Sequence, residues 1–156
     1  VSFVGGPNAV FPGSKTSTTM RLEAGNYVVL CLIPDKPGVP HVALGMEKPL
    51  LVTPAVVAAD KEPVPDLIIT RSDFHFSLSK PVEAGTHTIQ VLNAGSQPHE
   101  AVVVKLTPGA TAKDFIAAFE PGAAGPPPGQ VLGGIVGLDR GGHGFFQAHF
   151  EQASTG

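Results

Sequence analysis

At 156 residues the chain suits one domain, in which roughly 70% of the unfolded surface can be buried. Nineteen Gly and 16 Pro beside only 15% charged residues argue for many turns and short strands and against long helices, while recurring Val, Ile, Leu and Phe runs argue against disorder. A net charge of −3 with no basic cluster argues against a nucleic-acid partner, and no apolar run approaches the roughly 20 residues of a membrane span.

Residues 1–15 form a loop-rich opening punctuated by Gly5, Gly6, Pro7, Pro12 and Gly13, and Val1 reads as a processed or trimmed terminus. Over 16–22 the pattern alternates, with Thr18, Met20 and Leu22 on one face, which predicts a half-buried strand. Residues 27–33, YVVLCLI, are continuously apolar and β-prone and predict an interior strand that Pro34 ends. Residues 49–53 predict the next strand, and 55–65, rich in Pro and charge, predict a linker. Beyond it, 66–79, 86–92, 101–106 and 144–150 carry strand patterns; in the last, Phe146, Ala148 and Phe150 oppose Phe145, Gln147 and His149. One helix is predicted over about 111–119, where Thr111 and Asp114 resemble a capping box and Phe115, Ala118 and Phe119 share a face. The Gly/Pro-rich residues 122–134 are expected as a surface loop.

The chemistry concentrates in CLIPDKPGVPHVALGM, from Cys31 to Met46. It holds the only cysteine, with His41 ten residues on and Met46 five further. A soft thiolate, an imidazole and a thioether on one loop are what a copper electron-transfer site needs, lacking only a second imidazole. A lone cysteine leaves no intramolecular disulfide, and in its apolar run it is otherwise a small buried hydrophobe. Without the others, His41 would be a solvent-facing loop residue and Met46 core filler. Zinc fits poorly, because a thioether stands where a fourth nitrogen or thiolate belongs. A thiol nucleophile would need an exposed thiolate, and the strand pattern predicts burial. His75, His87, His143 and His149 show no paired metal spacing and are expected at the surface or at strand edges.

Sliding the chain against itself by about 128 positions aligns Gly5-Gly6 with Gly133-Gly134, Gly13 with Gly141, Leu22 with Phe150 and Glu23 with Glu151. This reads as a tandem unit, of which the chain holds slightly more than one, starting midway.

The residues Asn93-Ala94-Gly95-Ser96-Gln97-Pro98-His99 resemble the turn that carries the first histidine ligand in cupredoxins such as plastocyanin. Gly25-Asn26-Tyr27 through Cys31, then His41 and Gly45-Met46, resembles their Cys, His and Met loop. The likeness runs from about Gly5 to Glu151 and is nearest to exported bacterial cupredoxin-like proteins with a helical insert and a GPPPG loop, here Gly125 to Gly129. It implies an all-β, cupredoxin-like Greek-key β-sandwich with one short inserted helix. It implies His99, Cys31 and His41 as equatorial copper ligands and Met46 as the axial one. Two departures stand out: the half-domains run in permuted order, and nine residues separate Cys31 from His41 where plastocyanin-like loops have only a few. Residues 1–54 would supply one half of the sandwich and 66–151 the other, within one chain or between two. The expected function is a mononuclear, type 1-like copper protein for electron transfer or copper carriage, not an enzyme. A metal-free binding or structural module is the alternative. The implied partners are a redox or copper-donor protein and a second copy by strand exchange, in the periplasm or otherwise outside the cytoplasm.

Overall fold

The computed structural model describes residues 1–57 and 60–152; residues 58 and 59 of the expected linker lie outside the described residues. The chain is all-β with one short helix. Its strands are β1 (Gly25–Leu30), β2 (Glu47–Val52), β3 (Leu67–Ser72), β4 (His75–Leu78), β5 (Gly85–Asn93), β6 (His99–Leu106), β7 (Gly129–Leu138) and β8 (His143–Phe150), with α1 (Ala112–Ala117) between β6 and β7. No helix among the described residues is long and apolar enough to cross a membrane. The chain divides into two compact units, Val1–Met20 with everything from Pro63 onward, and Arg21–Glu62.

In the larger unit β4, β3, β5 and β8 form a four-stranded sheet in that order, and β6 pairs antiparallel with β7 in a second sheet. β3 and β5 run parallel; the other pairs are antiparallel. One hydrophobic cluster joins the sheets: Leu67, Ile69, Ile89, Val91, Phe146 and Ala148 from the first meet Ala101, Ile135 and Leu138 from the second. Strict alternation in β3 and β5 produces this, since every second side chain of a strand points to the same face. The predicted inward set of β8 is found there, although Phe145 of the opposite set is buried too. Thr111 and Asp114 close a capping box at α1, and Phe115 meets Phe119 edge to face.

Four expectations are corrected in this unit. The single strand expected over 66–79 is a hairpin, turned at Asp73-Phe74, where Phe74 has φ 62°. The surface loop expected at 122–134 is found over 122–128 and gives way from Gly129 to β7, whose residues 131–138 are partly or fully buried. Its glycines are there for close approach: a Cβ on Gly134 would overlap the Ala101 carbonyl oxygen, and one on Gly133 would lie 2.8 Å from Phe146 Cδ2. The strand expected at 16–22 shrinks to a bridge in which Thr19 and Phe145 exchange backbone hydrogen bonds of 2.8 and 2.9 Å. Further up, Val4 and Pro7 bridge to Leu138 and Ile135 of β7, so the first segment lies alongside its own repeat counterparts. His87, expected at the surface, is 7% exposed in the central strand β5.

In the smaller unit β1 and β2 form an antiparallel hairpin pairing Gly25 with Val52 through Leu30 with Glu47. The interior strand expected at 27–33 is not interior. β1 has one neighbour, and Val28 and Val29, which alternate between faces, are 52% and 59% exposed.

Candidate functional site

In the smaller unit the long spacer between Cys31 and His41 folds back on itself. Pro34 and Pro40 bridge, the Asp35 N–H donates to Val39 O, and the Gly38 N–H donates to Asp35 O, each at 2.9 Å. Gly38 takes φ 90°, which a side chain resists, and the Asp35 carboxylate accepts the Val39 N–H at 2.9 Å. The nine-residue spacer thereby closes as a small hairpin and returns the chain to its starting point. The His41 N–H donates to Ile33 O and the Val42 N–H to Cys31 O. His41–Leu44 then forms one 3₁₀ turn, ended by Gly45 at φ 95°.

Cys31 Sγ consequently lies 3.5 Å from His41 Nδ1. Met46 frames the pair through its backbone, donating to His41 O at 2.9 Å and accepting from the Cys31 N–H at 3.2 Å, while its side chain is largely exposed. Cys31 is half-buried, neither the sealed thiol of a core strand nor a fully open one.

His99 belongs to the larger unit, at the start of β6. Its Nε2 sits 2.9 Å from Asp73 Oδ1, so the ring donates from Nε2 to the carboxylate. Asp73 comes from the β3–β4 turn and also accepts the Ser96 N–H at 2.9 Å and the Ser96 hydroxyl at 2.5 Å. Bonds from the Ser96 hydroxyl, the His99 ring and the Ser96 N–H hold its carboxyl at about 2. Gly95 permits this cluster, for a Cβ there would fall 2.5 Å from Asp73 Oδ1 and 2.8 Å from His99 Nε2. Asn93, fully buried, ties the turn down by accepting the Gly95 N–H and donating to Gln97 O and Leu138 O.

The structure thus brings Cys31 and His41 side by side, with Met46 closing the loop through its backbone, and sets His99 on a braced turn of the other unit. Within each unit, no three His, Cys, Asp or Glu side chains among the described residues gather as a metal-holding group.

Sequence reasoning missed Asp73 and Arg71. Arg71 shares the inward phase of Leu67 and Ile69, and an arginine in a core phase was the legible signal. It is 1% exposed, its Nη1 donates to His99 O, and burial lowers its pKa while the Glu100 charge opposes the fall. Arg71 and His99 line a cleft of about 340 Å³ together with Phe74, Phe76, Pro98 and Glu100. No family model, curated protein or solved structure matches this chain.

Proposed function

We propose that the chain is a mononuclear, type 1-like copper-binding protein that carries a single electron or a copper ion. The observation that supports this reading is the 3.5 Å separation of Cys31 Sγ and His41 Nδ1. For an ion the size of zinc, a sulfur at about 2.3 Å and a nitrogen at about 2.05 Å at a roughly tetrahedral angle lie about 3.5 Å apart, so the pair has the spacing that one shared ion of that size requires. A thiolate with an imidazole is also the donor pair that suits copper. Cys31 and His41 would hold the ion. Met46, whose thioether is a weak and long axial donor even in working sites, and His99 are added by the resemblance to cupredoxins alone. Copper would supply the one-electron couple, and the hydrogen-bonded loop would keep its ligands from rearranging as the charge changes. No substrate chemistry is part of this reading.

The partners that follow are a redox or copper-donor protein and, through the exposed apolar hairpin, a second copy by strand exchange. The periplasm, or another compartment outside the cytoplasm, would be the place of action.

Copper titration of the reduced protein tests the function. A strong thiolate-to-copper charge-transfer band, lost in Cys31→Ala and weakened in His41→Ala, is the expected result. A folded, reduced sample with no such band would leave the 3.5 Å pair as a thiol–imidazole hydrogen bond and the chain as a metal-free binding or structural module.

A further inference from the structure

Leu67, Ile69 and Arg71 of β3 are buried on the core face of the four-stranded sheet. Residues directly opposite in an antiparallel pair share a face, and Leu78 stands opposite Ile69 and Phe76 opposite Arg71. Phe76 and Leu78 therefore lie on the core face of β4, yet they are 56% and 54% exposed. The second sheet stops short of them. Its β7 rests on β8, where a Cβ on Gly144 would lie 2.8 Å from Ile135 Cδ1, and the outer edge of β7 is taken by the bridges from Val4 and Pro7. With the first sheet ordered β8-β5-β3-β4, the other edge of the second sheet, on β6, looks towards β3 and β4. Among the described residues β6 pairs with β7 alone. The gap it leaves is the 340 Å³ cleft, with Phe74 and Phe76 on one wall and Pro98, His99 and Glu100 on the other. Two strands face four, and the long apolar edge of β6 is a template for another strand.

The hairpin of β1 and β2 has the complementary deficit. It is two strands with no third, and both its faces are apolar and exposed, Val29 and Leu50 on one, Val28, Leu30 and Leu51 on the other. Such a pair is marginal by itself in water. In the repeat, 16–22 corresponds to 144–150, so this hairpin is the segment that follows a β8-like stretch. We propose that the free edge of β6 and the uncovered core face of β4 form a groove that receives the hairpin of a second copy, β1 pairing with β6 and one hairpin face covering Phe76 and Leu78. The strand order becomes β7-β6-β1-β2 against β8-β5-β3-β4, four on four. Each hairpin is about 20 Å by 10 Å, and a reciprocal exchange makes the contact twice, burying on the order of 1,000 Å², the least a stable interface needs. The inference rests on the strand-exchange partner proposed above, to which it gives a receiving surface, and needs no copper.

The test uses the full, reduced, metal-free chain. Sedimentation over a range of concentrations should show a dimer, and a mixture of isotope-labelled and unlabelled chains should give intermolecular cross-peaks between β1 and β6. Phe76→Glu, at an exposed position, should weaken association roughly 10- to 100-fold by setting a charge under the docked hairpin, while Ile116→Glu on the exposed face of α1 should leave it unchanged. The cross-peaks need no altered protein and decide the matter should Phe76→Glu not fold. A monomer at every concentration would overturn the groove and the second-copy partner together. A dimer without β1–β6 cross-peaks between chains, or one indifferent to Phe76→Glu, would overturn the groove and leave the partner standing.

Discussion

Asp73 Oδ1 stands 2.9 Å from His99 Nε2 and shares its carboxylate with both donors of Ser96. The turn at 93–99 is thereby locked to the β3–β4 turn by a charged acceptor rather than by packing. The Asp73 pKa falls from 3.8 to about 2, so its contribution to stability is complete above 3.8 and is lost as pH drops through about 2. In Asp73→Asn that acid-limb loss should vanish. Urea unfolding between pH 4 and 2, with the carboxyl titration followed by NMR, checks it. Under the copper reading the same variant should weaken copper binding roughly 10- to 100-fold, as losing the carboxylate behind a ligand histidine does.

The repeated glycine pairs separate two roles for one motif. Gly134→Ala drives a methyl into the Ala101 carbonyl and should cost about 1–3 kcal/mol, since overpacking a closed strand interface forces backbone shifts. Gly6→Ala, at the corresponding place in the first copy, meets only Val136 Cγ2 at 3.8 Å. It should fall within about 0.5 kcal/mol of the parent. Denaturant midpoints of the two variants give the comparison, and equal losses would refute the close-approach account.

The buried His87 pairs with the exposed Asp66, Nδ1 to Oδ2 at 2.5 Å, with His87 Nε2 donating to Glu83 O at 2.8 Å. Acceptors at both nitrogens favour the imidazolium, and the Glu83 carbonyl and then Asp66 raise the His87 pKa above 6.5. Burial pushes the Asp66 carboxyl up, but the bonds from His87 and the Thr88 N–H outweigh it and hold it below 3.8. The histidine contributes fully below 6.5, and its part is lost as pH rises through the raised value; the aspartate contributes fully above 3.8, and its part is lost as pH falls through the lowered value. The pair is therefore strongest between those limits. Thermal midpoints should decline on the alkaline side, and His87→Gln should flatten that decline.

Why some elements were readable and others not has a physical cause in each case. β5 and β8 announced themselves because one face is core, so period-two alternation survives in the sequence. The helix did so because its cap is a local hydrogen-bond exchange between Thr111 and Asp114. β7 was hidden, since its glycines look like loop residues until Ala101 and Phe146 are seen pressing on them. The apolar run at 27–33 suggested a strand with neighbours on both sides, and burial depends on neighbours that a sequence run does not contain. At the site, Cys31 and His41 were legible as donors, but their meeting depends on the hairpin at 34–40, and length alone suggested separation. Asp73 was illegible as a partner of His99 because the β3–β4 hairpin that delivers it was read as one strand.

That spacer hairpin supplies the last prediction. Gly38 occupies φ 90° with no atom within 4 Å of where a Cβ would stand, so the position demands a backbone angle and not space. A β-branched side chain resists positive φ, and Gly38→Val should cost the turn about 1–2 kcal/mol. At that cost the open form of the loop gains roughly 5- to 30-fold in population. Opening breaks the Asp35–Val39 bonds that return His41 to Cys31, so the thiol loses its neighbour and its partial cover. Alkylation of Cys31 in the metal-free protein should accelerate by a similar factor, while the larger unit's amide spectrum stays unchanged. If the rate matches that of the parent, the spacer does not hold the pair, and Cys31 and His41 meet for another reason.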